Sequence, residues 1–215
     1  MNLKREIPLI TIVLIPFIYL AYIWNSLPET VPTHWNYKGE IDAWGKKSSL
    51  ILIMFLLPVL TYVLFSIIPF IDPKKKIQAM GNKYHNLKFL MTLFMSALAI
   101  FILYSVKEQS ITNPAFIILA IGLLYIILGN YMKTLKANYF IGIRTPWTLE
   151  NESVWKKTHA LAGKLWFIGG LAIIISSLTT NKNFNGIFFI SVTTIITVIP
   201  LIYSFLEFKK IKANS

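Results

Sequence analysis

Six apolar runs, separated by polar segments, make up most of this chain. They cover residues 7–24, 50–71, 89–106, 115–132, 165–178 and 187–208. A helix needs about 20 apolar residues to cross the hydrocarbon core, with roughly 17–25 usual. Five of the runs meet that length, and 165–178 is too short alone. It reaches spanning length if a helix begun near Leu149 continues through Ala160 and Gly163, which would put His159 and Lys164 near the membrane interface. The first run follows Lys4 and Arg5, and the stretch from Tyr19 to Trp24 has no small-x-small cleavage pattern, so it is expected to stay as a first span. The predicted fold is an all-α integral membrane protein of about six transmembrane helices. A two-span unit over 1–86 carries an outer loop at 25–49. A four-span unit over 87–215 carries a polar segment at 133–164.

Composition agrees with the pattern. The 215 residues are 55% hydrophobic and only 14% charged, and mean hydropathy is +0.61. Soluble domains carry about 25% charged residues. There is no cysteine, so disulfides are excluded. The net charge of +12 would suggest nucleic acid in a soluble protein, but here the cations flank the apolar runs. With six spans, 16 of the 21 lysines and arginines fall on the side of the termini and of segment 138–164. Five fall on the other. Cytoplasmic loops carry such an excess, so both termini and the 138–164 segment are predicted to be cytoplasmic. The basic charge is assigned to membrane lipids, with no direct nucleic-acid partner expected.

The runs contain Pro16, Pro58, Pro69 and Pro200, which predict local kinks. Gly122 and Gly129, and Gly163, Gly169 and Gly170, allow close helix contact without forming a GxxxG motif. No run carries an acidic or basic side chain before Glu207, which weighs against an ion-coupled transporter.

Two segments hold the candidate chemistry. The outer loop is stiffened by Pro28 and Pro32. His34, Glu40 and Asp42 are metal-ligand types, yet their spacing matches neither HExxH nor a calcium loop, so no metal and no cofactor is expected. Trp35, Tyr37 and Trp44 fit an aromatic belt at headgroup level. Loops on a rigid frame commonly bind ligands, and Pro32, His34, Trp35, Gly39 and Asp42 are the candidate binding residues there. Lys74, Lys75 and Lys76 are expected to set topology, with partner docking the alternative.

The second segment, 138–164, is the longest polar stretch. Gly142 permits positive φ, and Pro146 keeps Thr145 out of the α region. Thr148 is placed as the cap of a helix running through Glu150, Glu152, Trp155 and His159. Glu152 with Lys156, and Trp155 with His159, have i,i+4 spacing. Arg144 offers a directed fork of donors for a carboxylate or phosphate, with Glu150 or Glu152 as in-chain partners and lipid headgroups as the alternative. His159 is either a residue that titrates near neutrality or an interfacial hydrogen-bonding group. Candidate binding residues are Arg144, Thr145, Pro146, Trp147, Glu152, Trp155 and His159. There is no Walker loop, GxSxG or other nucleophile motif, so the chain is not expected to be an enzyme.

The runs Gly129-Asn-Tyr131, Asn138-Tyr-Phe-Ile-Gly-Ile-Arg-Thr-Pro-Trp-Thr148 and Glu152-x-Val-Trp155-x-x-Thr158-His159 through Gly163-Lys164 resemble the SdpI family of bacterial membrane proteins. Leu27-Pro28-x-x-Val31-Pro32-x-His34-Trp35 through Gly39-Glu40-x-Asp42 resembles the small domain of unknown function that often precedes it. The resemblance implies a multi-span immunity protein that protects a cell from a secreted antimicrobial peptide or protein toxin. It also implies signalling, by holding a cytoplasmic repressor at the membrane. Transport of a small molecule or lipid is the alternative from another functional class.

Overall fold

A computed structural model describes residues 3–36, 40–109, 115–178 and 182–213. The regular structure among the described residues is helical apart from one two-stranded sheet. The helices are α1 (Leu3–Ile23), α2 (Ser49–Met54), α3 (Leu60–Ile71), α4 (Asn82–Lys107), α5 (Ala115–Met132), α6 (Pro146–Glu150), α7 (Glu152–Ser177) and α8 (Lys182–Ala213). Five helical stretches are long and apolar enough to cross a membrane: Leu3–Ser26, Ser49–Ile71, Asn82–Lys107, Glu152–Ser177 and Asn185–Ala213. A shorter apolar helix, Phe116–Met132, accompanies them. The protein is an all-α multi-pass membrane protein. The chain divides into two compact units, 1–67 with 84–114, and 68–83 with 115–215.

In the first unit, α2 and α3 form one rod through a π-helical turn, Phe55–Val59. Pro58 lies in that turn and is buried. Proline lacks an N–H and clashes with the carbonyl four residues back, and the wider turn absorbs both defects. The predicted outer loop is more ordered than its sequence suggests. Strand β1 (Thr30–Trp35) pairs antiparallel with β2 (Ile41–Lys46), in the register Thr30 to Lys46, Val31 to Gly45 and Pro32 to Trp44. Bulges follow on either side of His34. Val31 is fully buried and joins Leu20, Ile23, Leu27, Leu50, Met54, Leu103 and Val106 in one apolar core. That core roots the hairpin in the helices.

The helices of this unit also run past the apolar stretches. Glu6 lies inside α1 and Lys88 inside α4, with side chains only 7% and 5% exposed. Their charges meet at 2.7 Å, and Tyr62 donates to the same Glu6 carboxylate at 2.9 Å. The apolar runs themselves hold no acidic or basic side chain before Glu207, but the helices extend beyond the runs and carry this pair. Both residues sit one position outside their apolar runs, where a reading of runs treats them as interfacial.

In the second unit, α5 and α7 cross antiparallel on glycines. A Cβ at Gly170 would lie 2.5 Å from the Gly122 carbonyl oxygen, and one at Gly163 2.8 Å from the Gly129 carbonyl oxygen. The seven-residue interval within each helix puts both glycines on one face, and only backbone fits between them. Trp166 ties α7 to α8 by donating Nε1–H to the Ile196 carbonyl at 3.1 Å. The predicted entry to α7 is also corrected. Thr145 caps the short α6, Thr148 lies inside it, and Asn151 caps α7 by accepting from Ser153 and Val154 N–H groups. From Glu152 the helix does run without a break through Ala160 and Gly163 to Ser177. Its 26 residues extend about 39 Å at 1.5 Å per residue, roughly two turns more than the hydrocarbon core requires.

Candidate functional site

The β1–β2 hairpin presents a polar face on a buried root. Pro32 is buried opposite Trp44, whereas His34 and Asp42 are exposed. The His34 Nδ1–H donates to Asp42 Oδ1 across the strands at 2.5 Å. Glu40 points elsewhere, with its carboxylate accepting from the Asn36 side-chain amide at 2.9 Å. Among the described residues no cluster of three His, Asp or Glu side chains gathers to hold a metal. Trp35 is half-buried against the apolar core, and Trp44 is 53% exposed. Tyr37 and Gly39 lie outside the described residues. The surface that remains for a ligand is His34, Asp42 and Trp44.

The 138–164 segment is a tightly bonded knot. Asn138 is buried, and its side chain uses its full capacity. Its Oδ1 accepts from Phe140 and Ile141 N–H at 2.8 and 2.7 Å, and its Nδ2 donates to the Lys136 and Ile141 carbonyls. Gly142 follows at φ +106°, and a Cβ there would lie 2.5 Å from His159 Nε2. That position requires glycine for both reasons. The next N–H, of Ile143, donates to His159 Nε2 at 3.0 Å. His159 Nδ1–H donates in turn to the Trp155 carbonyl at 2.8 Å. One ring nitrogen accepts and the other donates, so the imidazole is held as a neutral tautomer. Its ring stacks on Trp155 with centroids 4.0 Å apart, and Trp155 Nε1–H donates to the Leu135 carbonyl at 2.8 Å. His159 is thus a clamp between loop and helix, and the i,i+4 pairing with Trp155 is present.

Thr145 and Thr148 close a reciprocal capping box with Pro146 at the first helical position, where its missing N–H costs nothing. Thr148 Oγ1 also donates to the Ile143 carbonyl at 2.8 Å. Trp147 packs edge-on against Phe205 of α8, with centroids 5.2 Å apart, and Thr145 Oγ1 meets Ser204 Oγ at 3.2 Å. Arg144 is exposed, and its Nη1 donates to the Tyr139 carbonyl at 2.7 Å. Neither Glu150 nor Glu152 is its partner. Glu152 instead pairs with Lys76 at 3.1 Å, not with Lys156. Lys74 lies over the Tyr139 ring at 5.1 Å, and Lys136 Nζ donates to the Ala79 carbonyl at 3.1 Å. The lysine-rich loop is therefore stitched onto this segment, an arrangement that its sequence did not announce. Farther along α7, Lys157 pairs with Glu207 of α8.

The fixed shape leaves Arg144, Tyr139 and Pro146 facing out. No general base, nucleophile or metal cluster converges on them among the described residues.

Comparisons with known proteins match two stretches of the chain and one relative along most of it. Residues 134–204 match the model of the SdpI/YfhL protein family, and residues 11–61 match a domain of unknown function (DUF1648). The Immunity protein SdpI of Bacillus subtilis (strain 168) is 29% identical over 206 residues, which cover 94% of this chain and 93% of that protein. No solved structure matches.

Proposed function

We propose that this chain, SdpI-like along nearly its whole length, is a membrane immunity protein that confers resistance to a secreted antimicrobial peptide or protein toxin. The observation that carries the reading is the 29% identity to an immunity protein across 94% of the chain. The outer hairpin meets the toxin, through His34, Asp42 and Trp44 on the least charged side of the chain. The termini and the 138–164 knot face the cytoplasm, because the positive-inside rule puts 16 of 21 cations there. In that orientation the exposed Arg144 and Tyr139 form a surface for a cytoplasmic repressor, which toxin binding outside would recruit. No catalytic step belongs to this reading.

The test is a toxin dose–response in a sensitive host at equal membrane expression. Wild type raises survival over the empty vector, and Asp42→Ala or Trp35→Ala weakens the effect. An unchanged survival curve for wild type ends the proposal. One observation favours a second reading, transport of a small molecule or lipid. Ionisable residues inside spanning helices often mark transport paths, and Glu6, Lys88 and Tyr62 form a buried, bonded group on three such helices. Solute flux in liposomes that stops in Lys88→Met would select transport over immunity.

A further inference from the structure

At one end of the α5–α7 crossing, a notch of about 220 Å³ opens on the surface of the second unit. Gly129 and Gly163 form its floor, Lys133 and Lys164 its two charged walls, and Phe167 and Ile168 its apolar side. The floor exists because the glycines bring the two backbones together, so no side chain fills the space above them. Lys133 and Lys164 are both exposed. Among the described residues neither has a carboxylate within ion-pair distance. Every other feature of the notch has a structural explanation in the helix crossing. The positive-inside bias accounts for cations on this side of the chain, but not for two of them lining one notch.

We propose that this notch binds the headgroup phosphate of one anionic phospholipid. The chemistry follows from position. Phe167 and Ile168 lie three and four residues beyond Lys164, so they share its helix face, and they are 41% and 62% exposed. A ligand held by the two ammonium groups would therefore continue along an apolar, lipid-facing helix surface. A soluble phosphate compound has no use for that surface, whereas acyl chains do. The volume is below the roughly 300–1,000 Å³ of pockets for drug-sized ligands, which suits a headgroup and excludes a buried nucleotide. Asn130, also lining the notch, supplies an amide for a phosphate or glycerol oxygen. Basic pockets between spanning helices are known to take anionic headgroups.

The experiment is native mass spectrometry of the full chain in detergent, titrated with phosphatidylglycerol or phosphatidylcholine. At about 1 kcal/mol per lysine near an anionic surface, two lysines give roughly a 30-fold preference for the anionic lipid. Lys133→Gln/Lys164→Gln should lose that preference. Lys133→Arg/Lys164→Arg should keep it, which separates charge loss from misfolding. Lys83→Gln/Lys210→Gln removes the same net charge elsewhere and should behave as wild type. Equal binding of both lipids, or equal loss in the two glutamine pairs, overturns the proposal. Displacement of phosphatidylglycerol by millimolar inorganic phosphate overturns the lipid source and leaves a free-phosphate site. Binding of an acidic peptide with no lipid preference overturns it in favour of protein docking.

Discussion

Replacing Lys88 with methionine tests whether the buried charge network holds the first unit together. The Lys88 and Glu6 side chains are 5% and 7% exposed and 2.7 Å apart, so the substitution leaves a carboxylate buried without its counter-ion. Removing one partner of such a pair costs about 3–5 kcal/mol. By contrast the His34–Asp42 pair, with side chains 68% and 42% exposed, belongs to the class worth about 0–1 kcal/mol. At roughly 2–4 °C per kcal/mol for a chain of this size, Lys88→Met should lower the melting temperature by about 6–20 °C, and Asp42→Ala by no more than about 4 °C. The assay is thermal unfolding of the purified full chain in nanodiscs. Glu6→Gln/Lys88→Met keeps an acceptor for the Tyr62 hydroxyl and removes both charges, so it should recover most of the loss. A double-variant effect equal to the sum of the two single effects would show that the pair is uncoupled and would refute the reasoning.

Four further outcomes follow from the second unit. Gly170→Ala should cost about 1–3 kcal/mol by overpacking, because the new Cβ meets a carbonyl oxygen at 2.5 Å. Gly186→Ala meets nothing within 4 Å, so thermal unfolding should show it neutral or slightly stabilising. His159→Phe keeps an aromatic ring against Trp155 but removes the acceptor for Ile143 N–H, a loss of about 1–3 kcal/mol; limited proteolysis should then cut near residues 138–145. Arg144→Lys retains one donor for the Tyr139 carbonyl, so stability should stay within about 0.5 kcal/mol. Membrane recruitment of the cytoplasmic repressor in the presence of toxin should still fall, because the exposed fork is lost, and full recruitment by this variant would remove Arg144 from the recognition surface.

The spanning helices were legible because five of the six apolar runs are far longer than the apolar stretch of a soluble helix. The predicted continuity through Ala160 and Gly163 rested on the same count. Local punctuation was harder. Thr145, Thr148 and Asn151 are all good N-cap residues within seven positions, and spacing alone cannot choose among them. The tertiary knot does choose, by sending the Thr148 hydroxyl to the Ile143 carbonyl and leaving Asn151 free to cap α7. The hairpin was hidden by its bulges around His34, which break the two-residue alternation that marks a strand. Gly142 was readable as a positive-φ position, but the imidazole that forbids a Cβ there comes from 17 residues away. The seven-residue glycine intervals were visible, whereas their antiparallel partnership requires knowing which helices touch. Glu6 and Lys88 needed the same knowledge, being 82 residues apart.

The account places the hairpin outside, in contact with the toxin, and the start of α7 inside. A chain with no cysteine allows both placements to be read in one measurement. Cells expressing Ala43→Cys or Ser153→Cys are treated with a bulky, membrane-impermeant maleimide and then challenged with the toxin against which the wild-type chain protects. Ala43 and Ser153 are both exposed positions. The account predicts that treatment abolishes protection in the Ala43→Cys cells and leaves the Ser153→Cys cells unlabelled and protected. Labelling of Ser153→Cys from outside, or undiminished protection by fully labelled Ala43→Cys, would contradict it.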